Sequence, residues 1–152
     1  MGCVILPNLF VYGTLLSRYR NPWINSIENG KLKIILNSYK RIPAILDEYM
    51  LVWRREMSYP YIIPEPNYLV IGEVILDIPD DVINVIDTYE GYPRLYLREE
   101  VYVRTSLSSR EKAYVYVWRK ESKHNKDEVF LTLLPDSDIP EWIKNEVKSY
   151  SI

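Results

Sequence analysis

Two segments, Tyr96 to Arg104 and Lys112 to Trp118, alternate apolar and polar side chains almost without interruption. A period of two is the pattern of a strand with one buried face, and Thr105-Ser106-Leu107-Ser108-Ser109 between them suits a hairpin loop. On the first strand Val101 and Val103 face one way while Glu100, Tyr102 and Arg104 face the other. On the second, Ala113, Val115 and Val117 oppose Tyr114, Tyr116 and Trp118. A lone hairpin is marginal in water, so the rest of the chain has to complete the sheet around it.

The candidates for that role are uneven. Asn8 to Tyr12 reads as a first strand broken by Gly13, and Leu32 to Tyr39 alternates like another. Tyr68 to Ile78 is the longest apolar run, and Gly72 within it marks a bulge or a close backbone approach. Pro43, Pro60, Pro64 and Pro66 punctuate Arg41 to Asn67, which argues there for edge strand and loop. Asn21-Pro22-Trp23 opens a short helical turn that Asn29-Gly30 closes. Pro79 to Gly91 reads as a helix, with Asp80 and Asp81 in its first turn. Glu121 to Glu128 is a charged loop. A final helix starts near Pro140, capped by Asp138 with Glu141 three residues on. The sum is one α+β domain over residues 1–152, built on a curved, mostly antiparallel sheet or barrel.

Composition narrows the chemistry. At 152 residues the chain can bury a core without staples, and its net charge of −2 gives no general reason to expect nucleic acid. Cys3 is the only cysteine, which excludes an internal disulfide framework and fits a reducing compartment. The N-terminal apolar stretch is short, lacks a basic leader and contains Pro7 and Asn8, so neither a signal peptide nor a membrane span is expected, and a cytoplasmic location is. His124 is the only histidine; it lies in a charged loop without a cluster of metal-site spacing, and reads as solvated. No metal site, phosphate-binding loop or dinucleotide motif is expected. Catalysis, if present, must come from carboxylates, backbone amides, tyrosines and water.

Glu90 stands out because it breaks its helix's pattern. Val82, Ile83, Val85, Ile86 and Tyr89 fall on one side of that helix, and Asp80, Asp81, Asn84, Asp87 and Thr88 on the other. Glu90 follows Ile86 by four and lands in the apolar stripe. Either the helix frays before it and the side chain turns to water, or a carboxylate sits on a buried face at a helix C-terminus. In the second case burial and the helix dipole both raise its pKa, as suits a general acid/base.

Tyr12-Gly13-Thr14-Leu15 is the second candidate. A glycine after a buried strand permits a turn that gathers consecutive N–H groups around a carboxylate or an oxyanion. The same letters also fit an ordinary strand-to-loop turn. The aromatic face Tyr102, Tyr114 and Tyr116 fits core packing better than ligand binding.

In order along the chain, several segments resemble the gamma-glutamylcyclotransferase-like superfamily and its AIG2-like branch, which includes gamma-glutamylaminecyclotransferase. They are Phe10-Val11-Tyr12-Gly13-Thr14-Leu15, Tyr59-Pro60-Tyr61-Ile62-Ile63-Pro64, Ile71-Gly72-Glu73-Val74 and Ile86-Asp87-Thr88-Tyr89-Glu90-Gly91-Tyr92-Pro93. Tyr96 with Arg98, and Ala113-Tyr114-Val115-Tyr116, complete the set. The resemblance covers roughly residues 8 to 118. It leaves the stretch between Leu16 and Asp47, and the tail after Lys120, without a family motif.

The resemblance implies a small β-barrel flanked by short helices, with Glu90 as the catalytic glutamate. It implies a substrate-binding loop at Tyr12, Gly13, Thr14 and Leu15, with Tyr96 and Tyr114 as further substrate-contacting candidates. The implied reaction is intramolecular: the α-amine of a γ-glutamyl group attacks its own side-chain amide, giving 5-oxoproline and a free amine or amino acid. It implies no cofactor, and a small γ-glutamyl compound as the partner. A related reaction on another small amide, or a binding module without catalysis, remains open at this point.

Overall fold

The computed structural model describes residues 5–120 and 122–150, with Tyr150 as backbone only. The described chain has eight strands and three α-helices, in runs of three, two and three strands each followed by a helix. Five strands close on themselves in the order β5 (Tyr61–Ile75), β1 (Leu9–Val11), β7 (Arg110–Trp118), β6 (Tyr96–Arg104), β4 (Arg41–Trp53) and back to β5. β8 (Glu128–Phe130) continues the sheet along the far end of β4. All strand pairs in this sheet are antiparallel except β1 with β7. The fold is therefore mixed α+β, a small barrel with few helices. Leu9, Phe10, Ile45, Leu51, Ile62 and Ile71 are among the apolar side chains sealed from solvent in its core.

The expected hairpin is present, with Tyr96 opposite Trp118 and Arg104 opposite Arg110. Val103, Ala113, Val115 and Val117 are buried, whereas Tyr102 on the opposite face is 63% exposed. Tyr96 and Tyr116 also lie on that opposite face, yet both are buried. Helix α2 (Asp80–Glu90) covers this end of it, with Asp87 bonded to Tyr116 and Arg98.

Three sequence expectations fail here. The proline-rich middle forms the two longest strands, β4 of 13 residues and β5 of 15, which pair along most of their length. Pro64 and Pro66 are tolerated because the β4–β5 ladder breaks register beside them, between Asp47 and Tyr49. Pro43 is tolerated because β6 meets β4 only at Ile45, so no neighbour claims its missing N–H.

The alternating stretch from Leu32 to Tyr39 contains helix α1 (Lys33–Leu36) instead of a strand. Only Leu36 of that helix is buried. Closure of the barrel by β4 and β5 leaves no open edge between those strands for this segment to join.

Residues 21–30 form no helical turn but the hairpin of β2 (Arg18–Asn21) and β3 (Ser26–Asn29). Asn21 does accept the Trp23 N–H at 2.9 Å, as a cap would, but this local bond serves a β-turn equally well. Trp23 then packs against Trp53 and Phe130 and fixes the hairpin on the barrel.

Gly72 marks a close approach, since a Cβ there would lie 2.2 Å from the Val11 carbonyl oxygen. Helix α3 (Glu141–Tyr150) is present, but the expected cap, Asp138, ends a separate short turn at Asp136–Asp138, and its carboxylate accepts from Arg18 at 2.8 Å. His124 is exposed, as expected, while Asp127 nearby is buried against the Tyr61 hydroxyl and the His124 N–H. No helix among the described residues is long and apolar enough to cross a membrane.

Candidate functional site

Helix α2 runs unbroken through Glu90, so fraying does not release this carboxylate to water. Gly91 ends the helix with φ of 69°, a left-handed conformation that glycine adopts without a Cβ clash. The Tyr92 N–H then closes back on the Asp87 carbonyl at 3.0 Å. This sharp stop fixes Glu90 on the last turn. The buried stripe is narrower than the periodicity suggested: Ile83 and Ile86 are buried, but Val85 and Tyr89 are exposed. Asp87, placed by periodicity on the polar side, is turned inward instead.

Glu90 lines two connected spaces. The inner pocket, a small cavity of about 20 Å³, is walled by Tyr12, Gly13, Thr14 and Leu15 on one side and by Pro60, Tyr96 and Tyr116 on another. The outer chamber, of about 240 Å³, shares Thr14, Tyr59, Glu90 and Tyr96 with it and adds Lys31, Tyr89 and Leu95. Among the described residues no group hydrogen-bonds the Glu90 carboxylate. Glu90 is half-buried, and protein atoms crowd around its side chain without sealing it from solvent. Desolvation pushes its pKa up from 4.5 to about 7, partly opposed by the positive charge of Lys31. Near neutrality such a group can both take and give a proton.

The loop after β1 is held close against the pocket. Gly13 has ordinary backbone angles, and its lack of a side chain matters for space: a Cβ there would lie 2.5 Å from the Pro60 ring. No described residue accepts a hydrogen bond from the backbone N–H groups of Gly13, Thr14 or Leu15. Free amides in succession beside a cavity suit an anion or a developing oxyanion.

Beneath the loop lies a feature that the sequence reading missed. The Glu73 carboxylate, 8% exposed, accepts the Ser17 N–H and hydroxyl at 3.1 and 3.2 Å. Arg41 donates to the same carboxylate and to the Leu15 carbonyl, each at 3.1 Å. This buried ion pair sets where the loop lies. A carboxylate in the middle of the longest apolar run of the chain is the signal for it.

The tyrosines form the rest of the frame. Tyr12 donates its hydroxyl to the Tyr116 carbonyl at 2.7 Å, and Tyr96 donates to the Pro60 carbonyl at 2.8 Å. Tyr116 donates to Asp87 at 2.6 Å, and Arg98 pairs with the other Asp87 oxygen at 2.5 Å. Burial raises the pKa of all three tyrosines well above the ordinary value, so they stay neutral. Thr14 and Tyr89 hydroxyls meet at 3.4 Å across the entrance.

Of the residues singled out from sequence, the structure brings Glu90, Tyr12, Gly13, Thr14, Leu15 and Tyr96 to one cavity. Tyr114 does not join them: its ring lies 4.6 Å from the Arg98 guanidinium, and it lines a separate cavity with Asn8 and Glu100. It stands two residues from Tyr116 and so shares its face, but beyond the reach of the site. Lys31, Tyr59 and Tyr116 are among the lining residues the sequence did not nominate. Nothing in the letters around Lys31 distinguishes it, because its place depends on the hairpin that carries it.

The family model described as gamma-glutamyl cyclotransferase, AIG2-like, matches residues 9–136. The chain belongs to this family. The match includes the segments between Leu16 and Asp47 and from Lys120 to Asp136, for which no motif was legible. AIG2-like protein D of Arabidopsis thaliana is 33% identical over 126 residues, which are 79% of this chain and 72% of that protein. An AIG2-like protein from Mus musculus has a similar crystal structure, with a TM-score of 0.63 at 20% identity over 91% of this chain and 93% of that one. A solved gamma-glutamyl cyclotransferase matches with a TM-score of 0.55 at 17% identity, covering 81% of this chain and 69% of that one. At these identities the two structures speak for the fold. The family includes gamma-glutamyl cyclotransferases.

Proposed function

We propose that this protein is a cofactor-independent γ-glutamyl cyclotransferase that releases 5-oxoproline from a γ-glutamyl amine or amino acid, with Glu90 as its proton shuttle. The observation that carries the reading is an unpartnered carboxylate of raised pKa in one pocket with the free amides of Gly13, Thr14 and Leu15. In the reaction, Glu90 takes a proton from the substrate's α-ammonium. The freed amine attacks the γ-carbonyl carbon, forming the ring C–N bond. The loop amides stabilise the oxyanion as it develops. As the original amide C–N bond breaks, Glu90 returns the proton to the leaving nitrogen, and the ring nitrogen gives its surplus proton to the departing amine, which leaves as its ammonium. Water is neither consumed nor released.

Proximity is supplied by the substrate, because nucleophile and electrophile share one molecule. The protein's task is to fold the substrate back, place its reacting nitrogens near Glu90 and keep water from the intermediate. Neutral Tyr12, Tyr96 and Tyr116 around the pocket suit that task. The test is a panel of γ-glutamyl amino acids and γ-glutamyl amines incubated with wild type and Glu90→Gln, with 5-oxoproline read by mass spectrometry. Product from wild type and none from the variant is expected. Equal product from both would remove Glu90 from the mechanism, and no product from folded wild type would leave a small-ligand-binding role.

A further inference from the structure

We propose that Lys31 recognises a carboxylate on the leaving half of the substrate, so that this site favours γ-glutamyl α-amino acids over γ-glutamyl amines. The proposal rests on the reaction read above and identifies which of its two substrate classes the site takes. A single proton shuttle must reach both the attacking and the leaving nitrogen, so the scissile bond lies beside Glu90. The free loop amides line the inner pocket and take the glutamyl carbonyl oxygen, so that half of the substrate lies towards it. Glu90 also lines the outer chamber, and the leaving half therefore extends into that space.

The chamber has two charged side chains among its lining residues, Glu90 and Lys31. The Lys31 ammonium has no hydrogen-bond or ion-pair partner among the described residues. Its backbone is nevertheless fixed to the substrate loop, the Lys31 N–H donating to the Thr14 carbonyl at 2.5 Å and the Gly30 N–H to the Ser17 carbonyl at 2.9 Å. A free cation is thus carried at the rim on a pinned main chain. A leaving amino acid offers it a carboxylate. A leaving diamine offers only a second cation, and the chamber has no acid except Glu90 to receive it. Tyr59, Tyr89 and Leu95 supply an aromatic and aliphatic wall for the amino acid's own side chain.

The test uses two substrates that differ in one group, γ-glutamyl-phenylalanine and γ-glutamyl-phenethylamine. At low salt wild type should favour the first in kcat/KM by roughly fivefold, the ratio that about 1 kcal/mol from one solvent-facing charge pair gives. Lys31→Met should bring the ratio close to one, Lys31→Arg should retain it, and Lys31→Glu should invert it. Lys31 is exposed and its side chain unpartnered, so these variants should fold, which melting curves check. A wild-type ratio near one, or an equal loss for both substrates in Lys31→Met, overturns the proposal; the second result assigns the Lys31 charge to the glutamyl half or to its action on Glu90. If wild type makes 5-oxoproline from neither substrate, the reaction itself is wrong and the proposal falls with it. That failure is distinct from turnover without discrimination.

Discussion

Replacing Glu90 by glutamine should make the protein more stable at alkaline pH while stopping its chemistry. Burial raises the folded-state pKa of Glu90 to about 7 from a reference of 4.5. Below the unfolded value both states are protonated, and glutamine and glutamic acid should be nearly equivalent. Between the two values the unfolded chain ionises first, the folded state binds more protons, and wild-type stability falls as pH rises. Above the folded value the penalty is complete. A shift from 4.5 to about 7 corresponds to about 3 kcal/mol at roughly 1.4 kcal/mol per unit. Partial solvent contact screens the charge and lowers the expectation to about 2 kcal/mol. For a chain of this size that is roughly 4–8 °C in Tm. Urea and thermal unfolding of wild type and Glu90→Gln at pH 4, 6 and 8 measure it. The advantage of the variant should be near zero at pH 4 and largest at pH 8. A difference that does not change with pH, or a variant no more stable at pH 8, would show that the carboxylate is well solvated, and the case for a tuned shuttle would fail.

The same ionisation should govern the rate. If Glu90 must start as the base, kcat/KM for 5-oxoproline formation should fall about tenfold per pH unit below its pKa of about 7; a profile flat from pH 5 to 8 would contradict it. Gly13→Ala forces a methyl group to within 2.5 Å of the Pro60 ring and should cost about 1–3 kcal/mol by urea titration, as overpacking does. Arg41→Met leaves the buried Glu73 carboxylate without its cation. It should destabilise by about 3–5 kcal/mol, the usual cost of breaking a buried pair from one side. Arg41→Met/Glu73→Gln should recover part of that loss, and a double variant no better than the single one would count against the pairing.

What could be read from the letters was what short-range chemistry controls. The 96–118 hairpin, the helix from Asp80 to Glu90 and its glycine stop, the exposed loop histidine and the close approach at Gly72 all follow from local periodicity or backbone geometry. Glu90 was legible for the same reason, as a charged residue out of phase with its own helix. The motifs at Tyr12 to Leu15 and at Glu90 also pointed to the family, although neither said how close in space the two would be.

Tertiary structure decided everything that depends on a partner distant in sequence. Prolines became acceptable in β4 and β5 because the register shift and the short contact with β6 left their missing donors unneeded. The Leu32–Tyr39 segment lost its strand because barrel closure took the edge it would have joined. Tyr114 and Tyr116 share a face, yet only Tyr116 reaches the site, because Glu90 lies at one end of helix α2 while Tyr114 lines a separate cavity with Asp80 at the other. The same holds for the pKa of Glu90 and the placing of Lys31. A helical phase can nominate a carboxylate for burial, but only the surrounding chain removes its water and sets a cation nearby. Local periodicity acts over a few residues, whereas desolvation and charge act through space.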